Sequence, residues 1–153
     1  MKKTGKLVTL VLSAAMILVA VAGCTARDTT KTGGAAKSEE EKRNIGIIQY
    51  TEHVALDSAR EGFIDALKDN GYVDGENIAI DFQNAQADPS NLSTISDRFV
   101  SNKIDLVLAI ATPAAQSIAG KTTEIPILAT AITDFVTARL ADSNETPGGN
   151  VSG

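Results

Sequence analysis

One aliphatic run in the sequence ends in a segment that suits anion binding, TPAA at residues 112–115 within DLVLAIATPAAQ. The aliphatic run predicts a buried strand, and threonine followed by proline predicts a helix start with Thr112 as the N-cap and Pro113 as the first helical residue. We then expect the amides of Ala114 and Ala115 to be free, and free amides at the positive end of a helix dipole attract a carboxylate. The alternative is a purely structural turn, since every α/β protein needs capped helix starts.

Polar residues also lie at the ends of two other aliphatic runs, NIGIIQY and IPILATA. The candidates are Gln49, Tyr50, Glu52, Thr133 and Asp134. Gln49 and Glu52 suit polar contacts to a ligand, and Tyr50 could stack on an aromatic ligand, with ordinary packing as its alternative. Asp134 could pair with a ligand ammonium or cap the segment that follows it.

His53 lies in the loop after the first run. It could cap the first helix, and otherwise we interpret it as an ordinary surface-loop residue. A catalytic role has little support, because no serine or cysteine accompanies it in a recognisable nucleophile motif.

These residues require a framework that brings them together. Aliphatic runs at residues 44–50, 77–83, 105–111 and 125–131 predict strands, and segments with helical spacing after Val54, Pro89 and Pro113 predict helices between them. Regular alternation of strand and helix predicts a doubly wound parallel α/β sheet. Ligands bind beyond the carboxyl ends of such strands, so we expect the loops at residues 49–53, 111–115 and 129–134 to meet at one edge.

Composition excludes several classes of function. The chain has 153 residues, 43% of them hydrophobic, and a formal net charge of -5, and it lacks the basic clusters of nucleic-acid-binding proteins. A single histidine and the scattered Asp57, Asp81 and Asp105 predict no metal site. No phosphate-binding glycine motif is present, so we predict no nucleotide cofactor and no enzymatic activity.

The first residues have the layout of an export signal, with Lys2, Lys3 and Lys6 ahead of an apolar run. The sequence VAGC that ends at Cys24 resembles the lipobox of bacterial lipoproteins. That resemblance implies cleavage of a signal peptide at residues 1–23 and acylation of Cys24, which would anchor the protein in the lipid bilayer outside the cytoplasm. A free thiol is the alternative. Residues 24–43 are polar and predict a flexible tether.

The remaining segments resemble the substrate-binding lipoproteins of ABC importers, in the group for tryptophan or tyrosine uptake. The resemblance is carried by IGIIQYTEHVALDSAREGFIDALKDNGY, GENIAIDFQNAQADPSNL, DLVLAIATPAAQ, IPILATAITD and PGGNVSG. It implies a type I periplasmic-binding fold whose two lobes close around a small ligand, here an amino acid. The turn at residues 112–115 matches a family loop that faces the cleft, and Thr133-Asp134 matches the family's Thr-Asp at the next strand end. The resemblance also implies delivery of the ligand to an ABC permease in the membrane.

The resemblance divides the chain into an N-terminal lobe at residues 44–146 and the start of a hinge crossing to a second, absent lobe at residues 147–153. Two other interpretations stay open: a lipid-anchored sensor that signals to a partner, and an inert truncated fragment.

Overall fold

The computed structural model describes residues 42–153. The predicted signal peptide, Cys24 and nearly all of the predicted tether lie outside the described residues. The strands are β1 (Arg43–Gln49), β2 (Ile78–Asn84), β3 (Leu106–Ile110), β4 (Ile127–Thr130) and β5 (Val151–Ser152). The helices are α1 (Val54–Asp69), α2 (Pro89–Ser101) and α3 (Thr112–Ala119).

The strands form a five-stranded parallel sheet in the order β2-β1-β3-β4-β5. Residues of α2 and α3 pack on one face of this sheet and residues of α1 on the other. The structure therefore confirms the predicted doubly wound parallel α/β architecture.

Strands β1, β3 and β4 alternate their side chains between two unequal cores. The larger core contains Ile48 of β1 and Val107 of β3 together with residues of α2 and α3. The smaller core is formed by Ile47, Leu108 and Ile110, against which partly buried residues of α1 pack. Burial on both faces explains why β1 and β3 are continuous aliphatic runs rather than alternating ones.

Local capping fixes where the first two helices begin and end. His53 is the N-cap of α1, where its Nδ1 accepts from the Ala55 amide at 3.2 Å. Asn70 and the left-handed Gly71 end that helix. Asp88 caps α2, and its Oδ1 accepts from the amides of Ser90 and Asn91 at 2.6 and 3.0 Å.

The last strand was not predicted from the sequence. Val151 pairs with Ile127, so β5 lies inside the segment that the sequence assigned to a hinge crossing. Asn150 attaches this strand to the preceding loop, since its Nδ2 donates to the carbonyls of Thr122 and Ile125 at 3.1 and 2.7 Å. A two-residue strand is too short for a hydrophobic period to reveal it. The division into lobe and hinge remains a prediction.

Candidate functional site

The loops after β1, β3 and β4 lie at the same edge of the sheet. Gln49 pairs with Ile110, and Ile110 pairs with Thr130, so these strands end level with one another. Backbone hydrogen bonds extend this alignment into the loops, because the Tyr50 amide donates to the Ile110 carbonyl at 3.2 Å. The predicted meeting of the three loops is therefore present.

The start of α3 differs from the sequence prediction. Thr112 is the first residue of the helix rather than its N-cap, and the N-cap is Ala111, with no side-chain hydrogen bond. The physical reason is that the turn occurs within Ala111 itself, which adopts φ 80° and ψ 150°. That conformation is essentially restricted to glycine, so the turn is strained.

The amides of Ala114 and Ala115 are not free, which corrects the proposed role of both residues. They donate to the Ala111 carbonyl at 3.1 and 3.2 Å, and both residues are fully buried. Pro113 has no amide hydrogen. Within residues 42–153, the one open backbone donor at this helix start is the amide of the half-buried Thr112.

Gln49 is also placed differently from the prediction of a direct ligand contact. Its side chain is completely buried, and it is hydrogen-bonded to Thr51, Asp57 and Arg60. A side chain whose two N–H groups and oxygen already have partners, and which is inaccessible, cannot offer a polar contact to a ligand.

The other candidates after β1 are accessible. Tyr50 is half-buried against the larger core, and its hydroxyl lies 3.5 Å from the Ala87 carbonyl. Glu52 is exposed and borders an open groove of about 340 Å³ between α1 and β2. The groove is also lined by Asp57, Arg60, Glu61, Phe82 and Asn84.

Asp134 caps the turn that follows it, while Thr133 is exposed. One carboxylate oxygen of Asp134 accepts from the Thr137 amide at 2.6 Å. This hydrogen bond holds the pKa of Asp134 below its ordinary value, so the carboxyl is ionised at neutral pH. The capping alternative is therefore confirmed, and pairing with a ligand ammonium remains a prediction.

The sequence reasoning missed a fourth loop at this edge, the one that follows β2. The amides of Ala85 and Ala87 donate to the carbonyls of Gln49 and Tyr50 at 2.9 and 2.8 Å, which attaches this loop to the one after β1. Between them lies the exposed Gln86. Ligands bind beyond the carboxyl ends of parallel strands, and this rule applies to β2 as it does to the other strands. The helix start at Asp88 was therefore sufficient to indicate the loop after β2.

Backbone strain concentrates at the same edge. Of the six non-glycine residues with positive φ in the described part of the chain, four lie in the loops after β2, β3 and β4. They are Gln86, Ala87, Ala111 and Ala131. Strained backbone of this kind clusters at ligand-binding sites, where the surrounding structure holds it.

Metal-binding clusters and membrane-spanning helices are both absent from residues 42–153. No group of three or more histidine, cysteine, aspartate or glutamate side chains there could hold a metal ion. Between residues 42 and 153 there is also no helix whose length and apolar character would allow it to cross a membrane.

This chain resembles known proteins in both sequence and structure. The family model for ABC transporter substrate binding proteins matches residues 44–153. A tyrosine-binding protein from Clostridioides difficile (strain R20291) is 46% identical over 155 residues, which cover 100% of this chain and 45% of that protein.

Two solved structures are also similar. A ligand-free, open substrate-binding protein with adhesive properties from Clostridium difficile is 53% identical, with a TM-score of 0.72, over 72% of this chain and 38% of that one. A domain from Streptococcus pneumoniae in complex with L-Trp is 42% identical, with a TM-score of 0.70, over 74% of this chain and 38% of that one.

The chain spans less than half the length of these relatives. Its parallel sheet matches the type I periplasmic-binding fold, as the resemblance implied. Members of the matched family are substrate-binding proteins rather than enzymes. The chain therefore belongs to the family of ABC transporter substrate-binding proteins.

Proposed function

We propose that this chain is the first lobe of an extracytoplasmic substrate-binding protein that binds an aromatic amino acid and delivers it to an ABC permease. The observation that carries this proposal is the convergence of four loops, three of them strained, at the carboxyl edge of the sheet. Family membership and the tyrosine- and L-Trp-binding relatives support the ligand class.

The ligand carboxylate is assigned to the start of α3. The Thr112 amide is open to an acceptor at the positive end of the helix dipole, and the Thr112 hydroxyl is on the same residue. This assignment replaces the amides of Ala114 and Ala115, which bond to the Ala111 carbonyl. Pro113 has no N–H, so it does not compete with the Thr112 amide for the ligand carboxylate.

The ligand ammonium is assigned to the carboxylates that border the same edge. Asp134 is ionised and follows β4, next to the strand that leads to Thr112. Glu52 is exposed in the loop after β1, on the other side of β3. Tyr50 is the aromatic candidate for contact with the ligand ring, because its ring is half-buried and its loop is attached to β3.

The whole protein requires more than this lobe. A second lobe would supply the opposite wall of the cleft and its closure, and acylated Cys24 would anchor the protein to the bilayer. The permease would then receive ligand from the closed form.

A backbone amide NMR titration of the protein with L-tyrosine, L-tryptophan and L-alanine tests the proposal. We expect the largest shift at the Thr112 amide, with neighbouring shifts through Gln116, and tighter binding of the two aromatic ligands. A folded spectrum without shifts for any of the three would contradict ligand binding by this chain.

Substitutions at Thr112 separate its two donors. Thr112→Pro removes the amide hydrogen together with the hydroxyl at a helix position that accepts proline, and we expect a loss of affinity of about tenfold or more, because hydrogen bonds to a charged group are strong. The difference between this variant and Thr112→Val, which keeps the amide, isolates the amide hydrogen bond. Thr112→Val removes the hydroxyl and should weaken binding less.

Thr94→Val in α2 is the matched control, because the Thr94 hydroxyl bonds only to the Ser90 carbonyl of its own helix. Ala114→Asp is unsuitable, since Ala114 is fully buried and the variant would bury a carboxylate. If Thr112→Pro and the parent protein bind ligand with equal affinity, the ligand carboxylate does not bind at this helix start.

A further inference from the structure

We infer that Gln49 is a positioning residue, which orders the loop of residues 50–53 through the backbone of Thr51 and does not contact ligand. The inference rests on the proposed function, because that loop carries Tyr50 and Glu52.

Both N–H groups and the oxygen of the Gln49 side-chain amide have partners within the lobe. Its Nε2 donates to the Thr51 carbonyl at 2.8 Å and to Asp57 Oδ1 at 2.9 Å. Its Oε1 accepts from Arg60 Nη1 at 3.3 Å. Burial of a primary amide is unfavourable unless its groups are paired, so a fully buried Gln49 is stable only in this orientation.

Arg60 fixes the orientation of that amide from the helix side. Its Nη1 also donates to Asp57 Oδ1 at 3.1 Å, and its guanidinium lies 4.4 Å from the centroid of the Phe82 ring on β2. The Arg60 and Asp57 side chains are 19% and 27% exposed, so solvent competes little for these bonds. A donor on one side and an acceptor on the other determine which end of the Gln49 amide faces each partner.

The hydrogen bond from Gln49 restricts the conformation of the loop after β1. Its backbone is held at Tyr50 by the bond to the Ile110 carbonyl, and at Thr51 by the bond from Gln49. Between these points and the His53 cap, few conformations remain for Glu52. A loop that is ordered before binding loses less conformational entropy when ligand arrives.

Gln49→Met tests the inference, because methionine fills a similar volume and forms none of the three hydrogen bonds. Hydrogen exchange of backbone amides would be followed by NMR in the full protein. We expect exchange of the Tyr50 amide, which donates to the Ile110 carbonyl, to accelerate about fivefold, the effect of losing one ordinary hydrogen bond, with the amides of β3 unchanged. Affinity for L-tyrosine should fall about twofold to fivefold as the loop becomes disordered.

Gln83→Met is the matched control, because Gln83 lies on the neighbouring strand and donates to Asp81 rather than to a loop. It should change neither loop exchange nor affinity. Arg60→Met provides a second variant that leaves the cores intact, and it should reproduce the loop acceleration more weakly.

Unchanged exchange of the Tyr50 amide, or equal acceleration throughout the sheet, would overturn the positioning role. A nuclear Overhauser effect between the Gln49 side-chain amide and L-tyrosine would also overturn it, because it would show direct contact. If the parent protein binds neither aromatic amino acid, the proposed function fails, and the exchange data still decide whether Gln49 orders the loop.

Discussion

The Ala111 amide donates to the Thr130 carbonyl at 3.0 Å, so sheet hydrogen bonding continues up to the residue that turns the chain into α3. The same residue then accepts the first bonds of the helix through its carbonyl. One residue therefore ends a strand and starts a helix, which forces it into the left-handed half of conformational space, with φ 80°. Because the chain turns within the strained Ala111, Thr112 is the first residue of α3 and its amide lies at the open end of the helix.

Replacement of Ala111 by glycine should stabilise the protein. Relief of a glycine-type conformation is worth about 1–3 kcal/mol, and the added freedom of glycine in the unfolded chain offsets about 0.4–1 kcal/mol of it. We expect the free energy of unfolding, measured with urea, to rise by about 1 kcal/mol.

The control is Ala119→Gly at the last residue of α3, where glycine should destabilise the helix by up to about 1 kcal/mol. If both variants lower stability equally, Ala111 carries no strain.

Gly46 should not tolerate a methyl group. A Cβ atom built on Gly46 would lie 2.7 Å from the Phe99 ring, and Phe99 is fully buried in the larger core. Overpacking of this kind costs about 1–3 kcal/mol, so Gly46→Ala should lower the free energy of unfolding by that amount. Urea denaturation measures this change as a lower midpoint.

Gly62→Ala is the same chemical change, and we expect it to stabilise the protein. Gly62 lies within α1, and a Cβ atom there meets no other atom within 4 Å. Because alanine favours helix over glycine, this variant should gain about 0.8 kcal/mol. A Gly46→Ala protein as stable as the parent would mean that Phe99 can move aside.

The general fold was predictable because its signals are local. Periodic aliphatic runs marked β1 to β4, and capping residues such as Asp88 and His53 act on amides two or three positions away. Parallel sheets also obey a general rule that places successive strand ends at one edge. These features need no knowledge of distant contacts.

The roles of the site residues were less predictable because they depend on tertiary geometry. The sequence shows that Gln49 ends a strand, but only the packing of Asp57 and Arg60 against it shows that the amide already has partners. Similarly, Thr-Pro suggested a cap at Thr112, whereas pairing of Ala111 with Thr130 moves the turn back by one residue. Sheet pairing therefore overrode the local capping preference.

Asp134 should make the stability of the protein depend on pH in the acid range. The Thr137 amide holds its folded pKa below the ordinary value, so its contribution is present above the unfolded pKa of about 3.9 and is lost as pH falls through the folded value. Asp134→Asn keeps a carbonyl oxygen that can accept from Thr137 but cannot titrate.

We therefore expect the stability of Asp134→Asn to fall less steeply than that of the parent protein as pH falls below about 3.9. Titration of the Asp134 carboxyl carbon by NMR measures the pKa directly. A pKa at or above the ordinary value would show that the bond to Thr137 does not form in solution.

The hydroxyl groups of Ser96 and Ser117 form a 2.9 Å hydrogen bond that joins α2 to α3. Ser96 is completely buried, and Ser117 is half-buried. Ser96→Ala should lower the free energy of unfolding by about 1 kcal/mol, and Ser117→Ala by more, because the latter leaves the Ser96 hydroxyl buried without this partner. Removal of both hydroxyls should be milder than the sum of the single changes, since no polar group is then left unpaired. A double-mutant cycle by urea denaturation measures this coupling, and strictly additive effects would show that the two hydroxyls do not bond to each other.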